Sequence, residues 1–188
     1  MKNIVFVPLK DYFISRKWVF IKFLFPMLIA LVALLLAIFF NIGTSEKVFL
    51  TFSEFIDTQI NIVAILISFS VAIITILVSA DNANIQCLKK AESNKNQYKP
   101  VNGKQLSLFQ ILLSNIAYNV IVEIIYLVGL IAISLMQNLL PIVTLKYITA
   151  VCIFIILHIL FVLLESVAQM YLTISKQKDS NDSSTYDM

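Results

Sequence analysis

With 188 residues, 60% of them hydrophobic and only 13% charged, the chain falls far short of the roughly 25% charged residues of a soluble domain. It cannot present an ordinary polar surface to water, and its net charge of +3 serves topology and not nucleic-acid binding. Four apolar runs account for the excess, at residues 18–41, 58–80, 108–136 and 142–174, each meeting the requirement of about 20 residues for a spanning helix. The expectation is an all-α integral membrane protein with four transmembrane helices in one domain, residues 18–174, whose solvent is the lipid bilayer.

Residues 1–17, "MKNIVFVPLKDYFISRK", alternate apolar and basic positions, with Leu9, Tyr12, Phe13 and Arg16 at helical spacing. This predicts a short helix in the membrane interface, or a helix end without membrane contact. The first run is too long for the apolar part of a signal peptide and no A-x-A-like site follows, so it is read as a retained anchor. Trp18 and neighbouring phenylalanines sit at headgroup level, where amphipathic rings are favoured. Pro26 is expected to bend this helix.

In the second run Asn61, Ala64, Ser68, Ala72 and Thr75, flanked by Asp57 and Ser79, recur every three or four residues. Such a stripe of small and hydroxyl side chains predicts close packing against another helix and not against lipid. It also motivates the expectation of a homo-oligomer, since one partner helix does not use the whole surface of a four-helix chain. Between the second and third runs, residues 81–107 form the one sizeable polar segment, carrying Lys89, Lys90, Lys95, Lys99 and Lys104, with "KPVNGK" marking a turn. It is the natural docking surface for a cytosolic protein, or an ordinary solvated loop. Ile85 and Leu88, spaced by three, would let its first half prolong the second helix. The third and fourth runs, joined by the short "QNLLPI", form an antiparallel hairpin. The tail, residues 175–188, is serine-rich and lacks apolar spacing, which predicts disorder.

Lys and Arg divide twelve to two between alternate connecting segments: the amino-terminal segment, middle loop and tail against Lys47 and Lys146. Positively charged loops are retained inside, so both termini and the basic loop are expected in the cytoplasm and Glu46, Glu54 and Asp57 outside. Cys87 and Cys152 fall at different depths and imply no disulfide.

The hairpin carries polar residues that lipid disfavours. With the turn near Leu140, Glu123 and His158 match in distance from it, as do Asn115 and Glu165. Asn115, Asn119 and Glu123 lie four residues apart on one face of the third helix; His158, Glu165 and Gln169 share a face of the fourth. A carboxylate in the hydrocarbon costs about 2.5–3.5 kcal/mol on insertion scales, so it faces the bundle, finds a partner or stays protonated. Glu123 is expected to bond His158, or Asn119 and Tyr126. A polar clasp that fixes helix register, a protonation-dependent switch or subunit contact, and a conduction path are all compatible with the pattern. No zinc-protease, nucleophile-elbow or phosphate-loop motif occurs; no catalytic, metal or cofactor site is expected.

In the order of its features, carried by "SRKWVFIKFLFP", "DNANIQCLKK" and "SLFQILLSNIAYNVIVEIIYL", the chain resembles the membrane subunit of the Kiwa bacterial anti-phage system. The resemblance spans nearly the whole chain. It implies a non-catalytic homotetramer that senses infection at the bacterial inner membrane and carries a soluble DNA-binding partner on its cytoplasmic side, without touching nucleic acid itself. At the same coarse level the chain is similar to membrane accessory proteins of RNA-targeting CRISPR systems; a small oligomeric channel or transporter subunit is the unrelated alternative.

Overall fold

A computed structural model describes residues 7–39, 45–79, 83–100 and 103–184. Among them the chain is all α-helical: α1 (Val7–Ser15), α2 (Val19–Phe39), α3 (Ser45–Ser79), α4 (Ala83–Lys90), α5 (Leu108–Met136), a 3-10 turn (Gln137–Leu139) and α6 (Ile142–Ser184). Four of these helices are long and apolar enough to cross a membrane. No β-strand occurs among the described residues, only two isolated antiparallel bridges.

The element boundaries follow local chemistry. Helix α3 begins at Ser45, well before the apolar run, because Phe49, Phe52 and Ile56 keep helical spacing through the charged Glu46, Lys47 and Glu54. Its 35 residues are about 52 Å long at 1.5 Å per residue, more than a bilayer core requires. A reciprocal cap opens α5: the Gln110 amide donates to Ser107 Oγ at 3.2 Å and the Ser107 amide to Gln110 Oε1 at 3.0 Å, satisfying two donors that the first turn cannot pair. Pro26 lies within an uninterrupted α2 and, with Ala30, is one of its two buried residues. In the "KPVNGK" turn Gly103 adopts φ 76°, a left-handed value that glycine takes without steric cost. Helix α6 continues through Ser184, so residues 175–184 are helical where the composition predicts disorder; no Gly or Pro interrupts them. Residues 185–188 lie outside the described residues.

Two compact units share the long helices. The first takes in Met1–Val19, Ser70–Asn119 and Val162–Met188; the second Phe20–Phe69 and Val120–Phe161. In the first unit Leu77 of α3, Ile85 and Leu88 of α4, and Leu112 and Ile116 of α5 form a buried apolar cluster. The expected helical first half of the basic segment is α4, whose two apolar side chains are tucked into the protein; residues 80–82 lie outside the described residues. Beyond α4, Glu92 and Ser107 form an antiparallel bridge, the Ser93 amide donating to Leu106 O at 3.0 Å and the Leu108 amide to Ala91 O at 2.9 Å. The described residues of the basic segment are thus folded and not an open loop. In the second unit Phe52, Ile56 and Val63 of α3 pack with Tyr126 and Leu130 of α5 and Leu145, Cys152, Ile156 and Ile159 of α6. That cluster is the antiparallel hairpin read from the sequence, closed by Pro141, whose carbonyl accepts from the Thr144 amide at 2.9 Å.

Candidate functional site

Within the first unit the chain folds around one buried cation. Arg16, the residue after α1, is 3% exposed. Its Nη1 donates to Glu165 Oε2 on α6 at 2.9 Å and to the Tyr12 hydroxyl at 3.3 Å, and its Nη2 to Asn115 Oδ1 on α5 at 2.6 Å. The guanidinium carbon stands 4.1 Å from the centre of the Tyr12 ring, within cation–π range. Tyr12 in turn stacks on Tyr118 of α5 at 3.8 Å and 5°. Gln169, one turn beyond Glu165, donates to Glu165 Oε1 at 3.1 Å and to the Tyr98 hydroxyl. Backbone pairing flanks the cation: the Lys17 amide donates to Gln97 O at 3.0 Å and the Lys99 amide to Ser15 O at 2.7 Å.

The electrostatics favour a closed, water-poor site. Burial pushes the Tyr12 and Tyr98 phenols above their ordinary 10.0, and nearby Arg16 offsets part of that rise in both. The Arg16–Glu165 pair is 2% and 18% exposed at its two side chains. Removing one partner of such a pair costs about 3–5 kcal/mol, because the charge left behind has no counter-ion. Chemically the arrangement holds four segments together: α1, the strip at 97–99, α5 and α6.

The six polar residues singled out in the hairpin divide between the units. Asn115, Glu165 and Gln169 come together in the first, Asn115 and Glu165 joined through Arg16 and not directly; Asn119 is 1% exposed in the same unit. Glu123 and His158, 0% and 3% exposed, belong to the second. There His158 stacks on Phe23 of α2 at 4.3 Å and 17°. The Tyr126 hydroxyl donates to the Cys152 carbonyl at 3.1 Å and lies 3.4 Å from Gln59 Oε1. The sequence places Tyr12 and Arg16 on a short amino-terminal helix but does not mark them, or Tyr98 and Gln59, as members of a polar site. In the sequence Arg16 counts as a topological charge and as part of the helical spacing Leu9, Tyr12, Phe13, Arg16, and its four-residue spacing from Tyr12 on α1 is the one signal of their contact. That helix is docked by a fully buried Tyr12 and does not merely rest in the interface.

The small-residue stripe lies on the opposite face of α3 from its core. Asn61, Ala64, Ser68, Ala72 and Thr75 are all exposed, while Phe52, Ile56, Gln59, Val63, Ser70 and Leu77 are buried. Within this chain, then, the stripe does not make the helix contact expected of it; the larger apolar side chains take the core because they bury more area. The Ser68 and Thr75 hydroxyls donate to the carbonyls of Ala64 and Val71, four residues back, at 3.0 and 2.9 Å. Lys89, Lys90, Lys95, Lys99 and Lys104 are likewise exposed, and the Lys89 ammonium sits 5.5 Å from the Phe109 ring centre.

Four apolar helices of spanning length define an all-α multi-pass membrane protein. No protein-family model, curated protein or solved structure matches the chain.

Proposed function

We propose that this protein is a non-catalytic membrane subunit of a bacterial anti-phage defence complex of the Kiwa type. It sits in the inner membrane with both termini inside and docks a soluble DNA-binding partner on the lysine-bearing face of its first unit. The defence assignment rests on the resemblance in feature order. The docking role rests on one observation: the basic segment is folded on a packed frame that keeps its five lysines in the open. A lipid-facing role for α4 is disfavoured, since its apolar residues Ile85 and Leu88 are buried and are not available to enter a membrane. The decisive experiment is affinity purification from the native host with Lys89, Lys90 and Lys95 replaced by glutamate. Wild type should retain a nucleic-acid-binding protein that the triple variant loses; equal recovery from both would remove the docking role.

Assembly into a homo-oligomer is part of the same reading and is supported by the exposed α3 stripe. Its hydroxyls donate to their own helix, which suits a surface of close backbone approach better than one lining water. Ser68→Leu or Ala72→Leu should lower the oligomer number on native mass measurement by forcing helices apart. An unchanged number would assign the stripe to lipid.

A further inference from the structure

We infer that Arg16 positions the lysine face and that α6 governs it through Glu165. The identity of what docks rests on the reading above; the hold itself does not. Backbone bonds on both sides of Arg16 tie it to residues 97–99, at 3.0 Å from the Lys17 amide to Gln97 O and 2.7 Å from the Lys99 amide to Ser15 O. Wherever Arg16 goes, the strip between Lys95 and Lys99 goes with it, and the Lys17 ammonium adds a bond to the Lys95 carbonyl at 2.7 Å. What keeps Arg16 in place is Asn115 at 2.6 Å and Glu165 at 2.9 Å.

Glu165 is the only acidic residue of α6 between Ile142 and Tyr171, so no other carboxylate on that part of the helix can take its place. One turn on, Gln169 bonds the Tyr98 hydroxyl, giving α6 a second grip on the same strip. Sliding α6 by one turn, about 5.4 Å, would break both grips at once. A guanidinium without its carboxylate is too costly to leave buried. Arg16 therefore has two stable positions: inside and paired, or in water with the strip released. The strip is a two-state element that a displacement of α6 biases.

The test uses the full chain in nanodiscs and reads tryptic cleavage after exposed Lys95, with maleimide labelling of buried Cys152 reporting the integrity of the second unit. Glu165→Gln should speed cleavage at least tenfold while Cys152 stays unlabelled. Adding Arg16→Gln, which removes the stranded charge, should return the rate to within threefold of wild type, a rescue that mere loss of packing would not give. An unchanged rate in Glu165→Gln, a double variant as fast as the single one, or acceleration accompanied by Cys152 labelling each overturns the inference. Partner capture by the same variants is scored separately. If capture ignores both Glu165→Gln and the lysine reversals while cleavage responds as stated, the docking reading falls and the lock stands.

Discussion

Helix α4 is held to the first unit by very little apolar surface, and Leu88→Ala measures how much that surface matters. Leu88 and Ile85 are 2% and 3% exposed, packed with Leu77, Leu112 and Ile116; the other side chains described on the helix, including Lys89 and Lys90, are exposed or half-buried. Truncating Leu88 removes three carbons from the cluster, worth about 2.4 kcal/mol at roughly 0.8 kcal/mol per buried methylene, before any cavity term is added. At 1.4 kcal/mol per factor of ten, local opening of α4 should become about fifty times more frequent. Hydrogen exchange reads this directly. The amide of Ala91, bonded to Cys87 O at 2.8 Å, should lose about fifty-fold protection while amides in the Tyr126–Leu130 part of α5 keep theirs. Lys90→Ala, which removes an exposed side chain, should leave α4 protected. A loss of less than fivefold in Leu88→Ala would show that contacts other than the apolar cluster hold α4.

Tyr126→Phe removes the hydroxyl that donates to Cys152 O and should cost about 0.6 kcal/mol, at most about 1.7, the measured span for such bonds in membranes; a larger loss in detergent unfolding would place Tyr126 in a wider network. Because burial raises the Tyr12 phenol above 10.0, its stabilising effect is complete below pH 10 and declines above it, as an unfolded tyrosine ionises first. Tyr12→Phe should therefore flatten the alkaline fall in stability between pH 10 and 12, and an identical profile would contradict the burial. Glu123→Gln should be mild and Glu123→Leu should cost roughly 1–2 kcal/mol if the buried carboxylate acts as a clasp; a proton current in vesicles that disappears in Glu123→Gln would establish conduction instead.

The membrane helices were legible because long apolar runs have few alternatives. The third run coincides with α5 at residues 108–136, and α6 starts at Ile142 where the fourth run does. Helix α3 was read too short because scattered charges break an apolar window without breaking a helix. Depth matching pairs Asn115 with Glu165, and both bond Arg16, yet it gives no hint that a residue 99 positions from Asn115 would sit between them. A basic residue beside a span is ordinarily a topological charge, and only the three-dimensional meeting of Tyr12, Asn115 and Glu165 makes an internal Arg16 tolerable. The stripe on α3 was visible, but which side of the helix faces its own core depends on the larger residues opposite, and period alone does not rank the two faces.

The bond between Arg16 and Glu165 spans 149 residues, and that distance is also a delay. At about 5–20 residues per second of synthesis, roughly 7–30 s separate the appearance of the two side chains at the ribosome. Throughout that interval Arg16 has no carboxylate on α6 to meet. It lies just ahead of Val19, where the first apolar helix begins, and is made long before its partner on α6. Only the arrival of α6 lets the same charge turn inward. Nascent chains stalled before residue 165 should thus lack the Arg16–Glu165 bond and leave Tyr12 without the packing that buries it in the finished protein.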